Sequence, residues 1–444
     1  MRRIGIFLQG VFWLLVYIML ATAPLLLLKF GEVPEGREFW RELSVALGFA
    51  GLSMMTLQFV LTARFKAIKA PYGADIVYHF HRQISLVTFG LILMHPLLLF
   101  INAPQTLALL NLVSAPWRAR MGVTAVSLLL ILIGASIWRK VLKIDYSGWR
   151  IWHGVLATAV VALSMTHIVL ARHYLNLPWK QALWIAYGIF WVGLLAYVRI
   201  IKPLLLLRTP YLVERVTPER GNAWTLTIKP AGHAGIKFMP GQFAWLTAGK
   251  SPFADAEHPF SISSSAAQSD SLDFTIKQLG DFTSTIKDLQ PGQKIYLDGP
   301  FGAFSIDRHP DTPQYAFIAG GVGITPIMSM LRTLADRGNG QPLVLIYANK
   351  DWEGIIFREE LDELKKRLNL TLVHVLQQPP VGWTGETGFI NQSILERYLP
   401  KEKARNSIEV FLCGPPPMMN AVEPLLAKID IPFGDFHAER FNLV

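Results

Sequence analysis

Two stretches of equal length, HRQISLVTFGLILMH (residues 81–95) and HGVLATAVVALSMTH (residues 153–167), begin and end with histidine inside apolar runs. In a helix, fourteen positions bring the two histidines to within about 40° of each other, about 21 Å apart along the axis. Ionisable side chains inside an apolar helix are functional candidates by default. Each stretch is therefore predicted to be a helix whose two histidines share one face.

Both stretches belong to a set of six apolar segments, each long enough to cross the roughly 30 Å hydrocarbon core of a bilayer. The segments are 4–28, 40–62, 77–101, 121–141, 152–173 and 181–205. Tryptophans lie near several of their ends, as expected for interfacial aromatic residues. The sequence predicts an α-helical membrane bundle of six transmembrane helices, residues 1–208, embedded in a lipid bilayer.

The charge of the chain is divided unevenly between its halves. The 444 residues carry a net charge of +10, but residues 1–208 hold 20 Lys and Arg against 6 Asp and Glu. A positive excess confined to the apolar half argues against nucleic acid as a partner and for a membrane. Basic residues in the loops favour a cytoplasmic N-terminus. We expect a multi-pass plasma-membrane protein whose N-terminus and C-terminal domains are cytoplasmic.

The four histidines pair between helices. The third and fifth helices run in the same direction, so His81 is level with His153 and His95 is level with His167. Imidazole is a good ligand for haem iron, and the pattern predicts two bis-histidine b-type haems. The alternative is four histidines that are hydrogen-bonded within a polar bundle core. A single cysteine, Cys413, excludes a thiolate-held iron–sulfur cluster and a zinc finger.

The second half has a different pattern, of short alternating segments. Strands are predicted at 223–229, 242–246, 272–277 and 294–297, in a small antiparallel β-barrel domain spanning 209–308. Apolar strands then alternate with helices, which predicts an α/β doubly wound domain over 309–444. A glycine-rich turn, GGVG (320–323), follows the first of these strands, where backbone amides bind a pyrophosphate. Another strand ends at Cys413, whose alternative interpretation is an inert buried thiol.

Five motifs carry a resemblance to known reductases. They are HPFSIS (258–263), LGDFTST (279–285), GGVGITP (320–326), CGPPP (413–417) and ERF (439–441). In this order they resemble the signatures of the ferredoxin–NADP reductase superfamily. With the four-histidine bundle in front, nearly the whole chain resembles the NADPH oxidase/ferric reductase transmembrane family, in its short prokaryotic form.

The resemblance implies a role for each motif, with the residues numbered as in this sequence. FAD would be bound by His258, Pro259, Phe260, Ser261, Ser263, Lys277, Gly280, Asp281, Phe282 and Thr283. NADPH would be bound by Gly320, Gly321, Gly323, Ile324, Thr325, Asn349, Lys350, Cys413, Gly414 and Pro415. The residues at the reacting rings would be Ser261, Cys413, Glu439 and Phe441, with Phe441 stacked on the flavin. A C-terminal core anchor is the alternative for Phe441.

Asn349 and Lys350 follow the second strand of the predicted parallel sheet, where the adenosine ribose would lie. A basic residue suits a 2′-phosphate, so NADPH is the expected coenzyme and NADH is possible.

The function implied is transmembrane electron transfer from cytoplasmic NAD(P)H through FAD and two haems to an extracytoplasmic acceptor. Dioxygen, giving superoxide, is the first acceptor considered. A ferric chelate is the second, and an extracytoplasmic partner protein that this chain supplies with electrons is the third. The sequence has no evident docking segment for a regulatory subunit, so we expect activity without an obligatory one.

Overall fold

The computed structural model describes residues 2–31, 35–65, 74–254, 256–268, 270–400 and 408–440. The chain divides into two compact units, with the boundary between Lys202 and Pro203. The first unit is helical, and the second contains all the strands of the described residues. Phe441 lies outside the described residues.

The helical unit contains six long helices among the described residues, each long and apolar enough to cross a membrane. They are α1 (Arg2–Leu27), α2 (Phe39–Thr62), α3 (Ala74–Asn102), α4 (Trp117–Ile137), α5 (Tyr146–Ala171) and α6 (Pro178–Ala196). A π-helical stretch, Tyr197–Ile201, continues α6 into the short helix α7 (Lys202–Arg208). The predicted bundle of six helices is confirmed.

The fourth helix is displaced from its predicted range of 121–141. Pro116 precedes its first turn with an extended backbone, so the helix begins at Trp117. It ends at Ile137, and the chain then turns through Lys143, which has a φ of 52°. Val141 and Leu142 lie in this turn and are apolar, so the hydropathy of the sequence extended the predicted helix past its end.

Apolar side chains of the bundle point outward as well as inward. Phe12, Leu15 and Met19 on α1 are each almost 60% exposed, as suits a surface that faces lipid tails. The inner core joins α2, α4, α5 and α6 through residues such as Phe49 and Trp184. This distribution, with apolar residues on both sides of a helix, is typical of a membrane-spanning bundle.

The second unit begins with a six-stranded antiparallel sheet. Its strands are β1 (Tyr211–Glu219), β2 (Ala223–Pro230), β3 (Phe243–Ala248), β4 (His258–Ser261), β5 (Leu272–Lys277) and β6 (Lys294–Phe301), in the order β4-β3-β6-β1-β2-β5. Ile262 forms a bridge to Phe274 on β5, which brings the two edges together around a core that includes Leu226 and Leu246. β1 and β4 are additions to the four predicted strands. A short helix, α8 (Asp281–Ser284), follows β5.

A parallel sheet with helices on both faces completes the unit. Its strands are β7 (Gln314–Gly320), β8 (Leu343–Asp351), β9 (Leu370–Gln378), β10 (Glu386–Thr387), β11 (Ile408–Cys413) and β12 (Phe436–Glu439), in the order β10-β9-β8-β7-β11-β12. Its helices are α9 (Ile324–Asp336), α10 (Arg358–Arg367), α11 (Gln392–Tyr398) and α12 (Pro416–Lys428). Consecutive residues of one strand pack into different cores: Phe317 of β7 lies in the core on one face of the sheet, and Ile318 lies in the core on the other. The predicted doubly wound domain is confirmed.

The two parts of the second unit are joined by polar contacts of α9. Arg332 binds Glu360 through both carboxylate oxygens, at 2.7 and 2.6 Å, and donates to the Ser263 carbonyl oxygen at 2.7 Å. The Ser329 hydroxyl donates to the Ser264 carbonyl oxygen at 2.7 Å. These contacts fix the segment after β4 against the helix that follows the glycine turn.

Candidate functional site

The outer histidine pair is spaced for a shared metal. The ring centres of His95 and His167 lie 6.3 Å apart. Metal–imidazole bonds are about 2.0–2.1 Å long, and a ring centre lies about 1.1 Å behind its nitrogen, so two imidazoles on opposite sides of one iron have centres about 6.3 Å apart. The observed spacing of this pair therefore fits a bis-histidine haem.

The Nδ1 atom of each outer histidine is held by a neighbouring backbone carbonyl. His95 Nδ1 lies 2.9 Å from the carbonyl oxygen of Ser44 and 3.1 Å from its hydroxyl. His167 Nδ1 lies 2.6 Å from the carbonyl oxygen of Arg118. A carbonyl acceptor fixes the proton on Nδ1, which leaves the Nε2 lone pair for a metal. This arrangement is typical of ligating histidines.

A glycine lies behind each ring of the outer pair. A Cβ at Gly48 would lie 3.2 Å from His95 Cγ, and a Cβ at Gly122 would lie 2.9 Å from His167 Nδ1. Any larger residue at either position would push the imidazole away from its place. Gly48 on α2 and Gly122 on α4 thus set how close these helices come to the two histidines.

The inner pair has side-chain partners instead of carbonyls. His81 Nδ1 lies 2.8 Å from the Gln58 amide oxygen, and His153 Nδ1 lies 3.2 Å from the Ser136 hydroxyl. Trp149 packs against His153 with ring centres 4.9 Å apart and donates to Ser136 at 3.3 Å. The structure brings the outer pair together, as the 14-residue spacing predicts, and the pairing of His81 with His153 stays a prediction.

The supporting residues of the histidines were not among the predicted site residues. They are Ser44, Gly48, Gln58, Gly122, Ser136 and the carbonyl of Arg118. A usable signal was present for Gln58 and Ser136, which are polar side chains inside apolar spans. Nothing in the sequence pairs either one with a particular histidine, because the contacts join different helices.

The predicted flavin residues lie on and beside β4. The Ser261 hydroxyl is buried and has no hydrogen-bond partner among the described residues. His258 stacks on Phe282 with ring centres 3.9 Å apart, and Phe260 lies 6.0 Å from Phe282. Ser263 lies deeper, and its hydroxyl is 3.1 Å from that of Thr275. A buried hydroxyl without a partner among the described residues, on a strand that also carries aromatic rings, fits the binding of a polar ring system such as isoalloxazine.

The turn predicted to bind the flavin pyrophosphate is held by its own threonine. Thr283 Oγ1 accepts from the backbone N–H groups of Leu279 and Gly280, each at 2.9 Å. Those two amides are therefore engaged within the turn. Lys277 ends β5 next to it, and Asp281 starts α8 with an exposed side chain. Lys277 is left as the charged group of this segment suited to a phosphate.

The glycine turn and the Cys413–Pro415 segment are in direct contact. A Cβ at Gly323 would lie 2.4 Å from the Cys413 carbonyl oxygen, and one at Gly320 would lie 2.9 Å from Pro415 Cδ. A Cβ at Gly414 would lie 3.1 Å from the Gly320 nitrogen. The lack of side chains at these glycines lets the ends of β7 and β11 meet at the carboxyl edge of the sheet, where ligands bind in such folds.

Gly321 is the open position of this turn. It has a φ of 52° and no atom within 4 Å of the place its Cβ would take. Ile324 and Thr325 are buried at the start of α9, and the Thr325 hydroxyl donates to the Val322 carbonyl oxygen at 3.0 Å. The turn therefore presents backbone at Gly321, while the Thr325 hydroxyl is used to shape the turn itself.

Two polar residues of β8 lie near the same edge. The Asn349 side chain is buried and lies beside the Tyr347 hydroxyl. Tyr347 donates to the Gly321 carbonyl oxygen at 3.0 Å, which ties β8 to the glycine turn. Lys350 is exposed. A buried amide and an exposed ammonium at this edge suit a ribose phosphate.

Cys413 and Glu439 are neighbours in the register of β11 and β12. Burial raises the pKa of the Cys413 thiol well above its usual range, and the charge of Glu439 acts in the same direction. Glu439 Oε1 would lie 3.3 Å from a Cβ at Gly302, so it sits over the backbone that follows β6. The thiol is therefore neutral at physiological pH and unsuited to be a nucleophile.

Three family models match successive parts of the chain. Residues 47–165 match the model described as a ferric reductase like transmembrane component. Residues 215–305 match an FAD-binding domain, and residues 317–424 match an oxidoreductase NAD-binding domain. These matches and the fold define a multi-pass membrane oxidoreductase that binds FAD and uses NAD(P)H.

Curated relatives share part of the chain. A stachydrine N-demethylase reductase subunit of Rhizobium meliloti is 32% identical over 236 residues, which are 51% of this chain and 64% of that protein. NADH-cytochrome b5 reductase 2 of Mycosarcoma maydis is 28% identical over 48% of this chain and 57% of its own length. The reductase component of propane 2-monooxygenase from Rhodococcus jostii is 30% identical over 52% and 62%. The chain thus spans less than two thirds of the length of these relatives.

Among solved structures, the cytochrome b5 reductase domain of Ulva prolifera nitrate reductase aligns with a TM-score of 0.46 and 21% identity. The alignment covers 52% of this chain and 96% of that one. A ferredoxin NADP+ reductase from Neisseria gonorrhoeae, with FAD and NADP, aligns with a TM-score of 0.44 and 21% identity over 52% and 97%.

The order of a ferric-reductase-like membrane domain, an FAD-binding domain and an NAD-binding domain is the architecture of the NADPH oxidase/ferric reductase-like family. The resemblance stated from the sequence motifs is confirmed at this level. The chain is an oxidoreductase of that architecture.

Proposed function

We propose that this protein carries electrons from NAD(P)H through FAD and two bis-histidine b-type haems to an acceptor on the opposite side of the membrane. In this proposal the three domains are 1–208, 209–308 and 309–444. The protein lies in the plasma membrane, with its N-terminus and both nucleotide-binding domains in the cytoplasm. The charge distribution of the loops supports that orientation.

The observation that carries the proposal is the arrangement of the four membrane histidines. Every one of them is held through Nδ1 by a residue of another helix, at 2.6–3.2 Å. Hydrogen-bonded core histidines alone would not explain why the outer pair has the 6.3 Å ring spacing of two ligands on one iron. When bound, a haem supplies one-electron chemistry. His81 with His153, and His95 with His167, would hold the two groups.

The reductase residues have positioning roles. Ser261 would donate its unpartnered hydroxyl to the flavin ring, and His258 with Phe282 would provide an aromatic surface for it. The turn at Gly320–Gly323 would receive the pyrophosphate of the coenzyme on exposed backbone. Cys413, as a neutral buried thiol, would pack against the nicotinamide and exclude water from it. When bound, FAD would supply hydride acceptance from NAD(P)H and one-electron release, the chemistry that the proposed membrane transfer requires.

Asn349 and Lys350 support NADPH as the coenzyme, with NADH as the other candidate. The buried Asn349 amide would lie near the ribose, and the exposed Lys350 would meet its 2′-phosphate. NADH would leave both groups to water. The ratio of kcat/KM values for the two coenzymes, in the native chain and in Lys350→Ala, tests this choice, because loss of the lysine should lower only the NADPH value.

Dioxygen, giving superoxide, is the proposed acceptor. If His81 with His153 and His95 with His167 each held a haem, no position on the iron would be left for the acceptor, which would have to receive its electron without binding the metal. Such a transfer needs no dedicated ligand site, which suits a small apolar molecule. A ferric chelate is the second candidate, because a charged acceptor would need charged side chains near the outer haem. Arg37 and Glu42 are such side chains: Arg37 donates to the Tyr174 hydroxyl at 2.9 Å, and Tyr174 donates to Glu42 at 2.6 Å.

A third candidate is a partner protein that this chain supplies with electrons. The names of two relatives, a reductase subunit and a reductase component, favour it for the second unit. In this proposal no regulatory subunit is required for activity.

The test is NADPH-driven reduction of cytochrome c by the purified protein with FAD, with and without superoxide dismutase. A signal abolished by dismutase supports superoxide formation. A dismutase-resistant signal that rises with added ferric citrate supports the ferric reductase. Haems that reduce without either signal leave the partner protein as the acceptor. Failure of NADPH to reduce any haem would contradict the proposal as a whole.

A further inference from the structure

A second group of metal-binding side chains lies at the opposite end of the parallel sheet from the glycine turn. Glu409 is the second residue of β11, His437 lies on β12, and His309 lies in the segment between β6 and β7. One ligand atom from each lies within 4.8 Å of the others. Cys413 ends β11 at the nucleotide edge, and Glu409 lies four residues before it, or about 13 Å along the strand.

The strand register creates the cluster. Phe411 is paired with His437 across β11 and β12, and side chains alternate along a strand, so Glu409, Phe411 and His437 share one face. His309 is added from the loop, where its carbonyl oxygen accepts from the Tyr315 hydroxyl at 2.8 Å. Its ring lies 6.0 Å from that of Phe411. The fold thus holds all three side chains at one edge of the core.

The charges of the cluster favour a cation. Glu409 offers one carboxylate oxygen to each histidine, at 3.0 Å from His309 Nδ1 and 2.6 Å from His437 Nε2. The ring centres of His309 and His437 lie 4.0 Å apart, so both imidazoles lie close enough to contact one ion. An ionised carboxylate between two imidazoles is a set of ligands that a divalent ion would satisfy together.

We infer that His309, Glu409 and His437 form a binding site for a divalent transition-metal ion such as Zn²⁺, separate from the electron-transfer path. Two imidazoles and a carboxylate are a usual ligand set for zinc. Ligands of a tetrahedral zinc site lie about 3.3 Å apart, and the ligand atoms here lie within 4.8 Å of one another, so zinc binding would require shifts of at most about 1.5 Å. A water molecule would complete the coordination from the side of His437, whose side chain is 22% exposed.

The site would tie together segments that are distant in the sequence. His309 lies in the connection between the antiparallel sheet and the parallel sheet, and its side chain is 8% exposed. Glu409 and His437 lie on the two strands at the far edge of the parallel sheet. A metal ion would therefore hold this connection against β11 and β12, and its expected effect is on the stability of the second unit.

The experiment uses the full-length protein with its haems and FAD bound, so that the membrane histidines are occupied. Zinc is titrated in competition with a chromophoric chelator at pH 7.5. The native chain is expected to bind one equivalent tightly and to unfold at a higher temperature with zinc. Glu409→Gln and His437→Gln should each lower the affinity by at least about 100-fold, since even outer-shell changes cost 10–100-fold. His374→Gln, which removes a partly buried histidine of the same sheet, is the matched control and should bind like the native chain.

X-ray absorption at the zinc edge gives a second measurement that does not depend on variants. It should show nitrogen and oxygen ligands at about 2.0–2.1 Å, including two imidazoles. The inference is overturned if the native chain takes up no zinc, if the two variants bind it as tightly as the control, or if the absorption spectrum lacks imidazole. Because haem content and NADPH oxidation are measured on the same samples, failure of this inference is distinguishable from failure of the proposed function.

Discussion

Replacement of Gly323 by alanine tests the contact between the glycine turn and β11. The φ of Gly323 is −62°, a conformation that alanine adopts readily, so the backbone itself is not strained by the change. Its new Cβ, however, would lie 2.4 Å from the Cys413 carbonyl oxygen, 2.6 Å from the carbonyl carbon and 2.7 Å from Gly414 Cα. All three atoms belong to the backbone and cannot move aside by a side-chain rotation.

The cost of this change follows from the displacement required. Ordinary contact begins near 3.4 Å, so the turn and the end of β11 must separate by about 1 Å. Overpacking of this kind costs about 1–3 kcal/mol of stability. A displacement of about 1 Å in a group that positions a substrate costs about 100-fold in rate. We therefore expect a stable protein that has lost most of its coenzyme-dependent activity.

The assay is anaerobic reduction of bound FAD by NADPH in a stopped-flow experiment, with FAD content and thermal unfolding measured alongside. Gly340→Ala is the matched control, since no atom lies within 4 Å of its new Cβ. Gly323→Ala should reduce flavin about 100-fold more slowly at subsaturating NADPH, while Gly340→Ala should match the native chain. Native rates in Gly323→Ala, with full FAD content, would refute the assignment of this turn to the coenzyme.

Three further changes test other parts of the molecule. Gly122→Ala places a Cβ 2.9 Å from His167 Nδ1, so it should shift the reduction potential and the optical spectrum of one haem. Gly90→Ala is the control, because no described atom lies within 4 Å of its new Cβ, and it should change neither property. Identical spectra of the Gly122→Ala variant and the native chain would contradict the contact. Burial of Cys413 and its raised pKa predict that iodoacetamide at pH 8 labels the thiol only after denaturation, and labelling of the folded chain would refute this. Burial lowers the pKa of His374 from 6.5 to about 4. The unfolded chain therefore binds a proton at this histidine more readily than the folded chain does, and the free energy of unfolding should fall by about 2–3 kcal/mol as the pH falls from 6.5 to 4. Denaturant unfolding between pH 7 and 4 should show a weaker pH dependence in His374→Gln; an unchanged dependence would contradict this origin.

The membrane half was accessible to sequence analysis because its two strongest signals are local. Apolar length gives the helices, and the 14-residue spacing puts His81 with His95 on one helix face and His153 with His167 on another. The equal spacing on two parallel helices then pairs the histidines without any knowledge of packing. The partners of the rings, such as Gln58 on α2, depend on how the helices are rotated against each other, which periodicity does not specify.

In the second unit too, the sequence predicted some features and missed others. The glycine turn and the motif at Cys413 follow strands of a parallel sheet, so they were expected at one edge, where the structure places them. β4 was missed as a strand because its four residues include Pro259 and do not alternate clearly. His309, Glu409 and His437 are separated by 100 and 28 residues and meet only through the β11–β12 register and a loop. A cluster of that kind carries no spacing signal in the sequence.

The central claim is that four histidines hold two haems, and the most direct measurement is the haem content per chain of the purified protein and of its histidine variants. Pyridine haemochrome analysis against FAD and protein should give two haems in the native chain. His95→Ala and His81→Ala should each retain one, with reduction of FAD by NADPH intact in both. A native chain that binds no haem when haem is supplied, or single variants that keep two, would contradict the account.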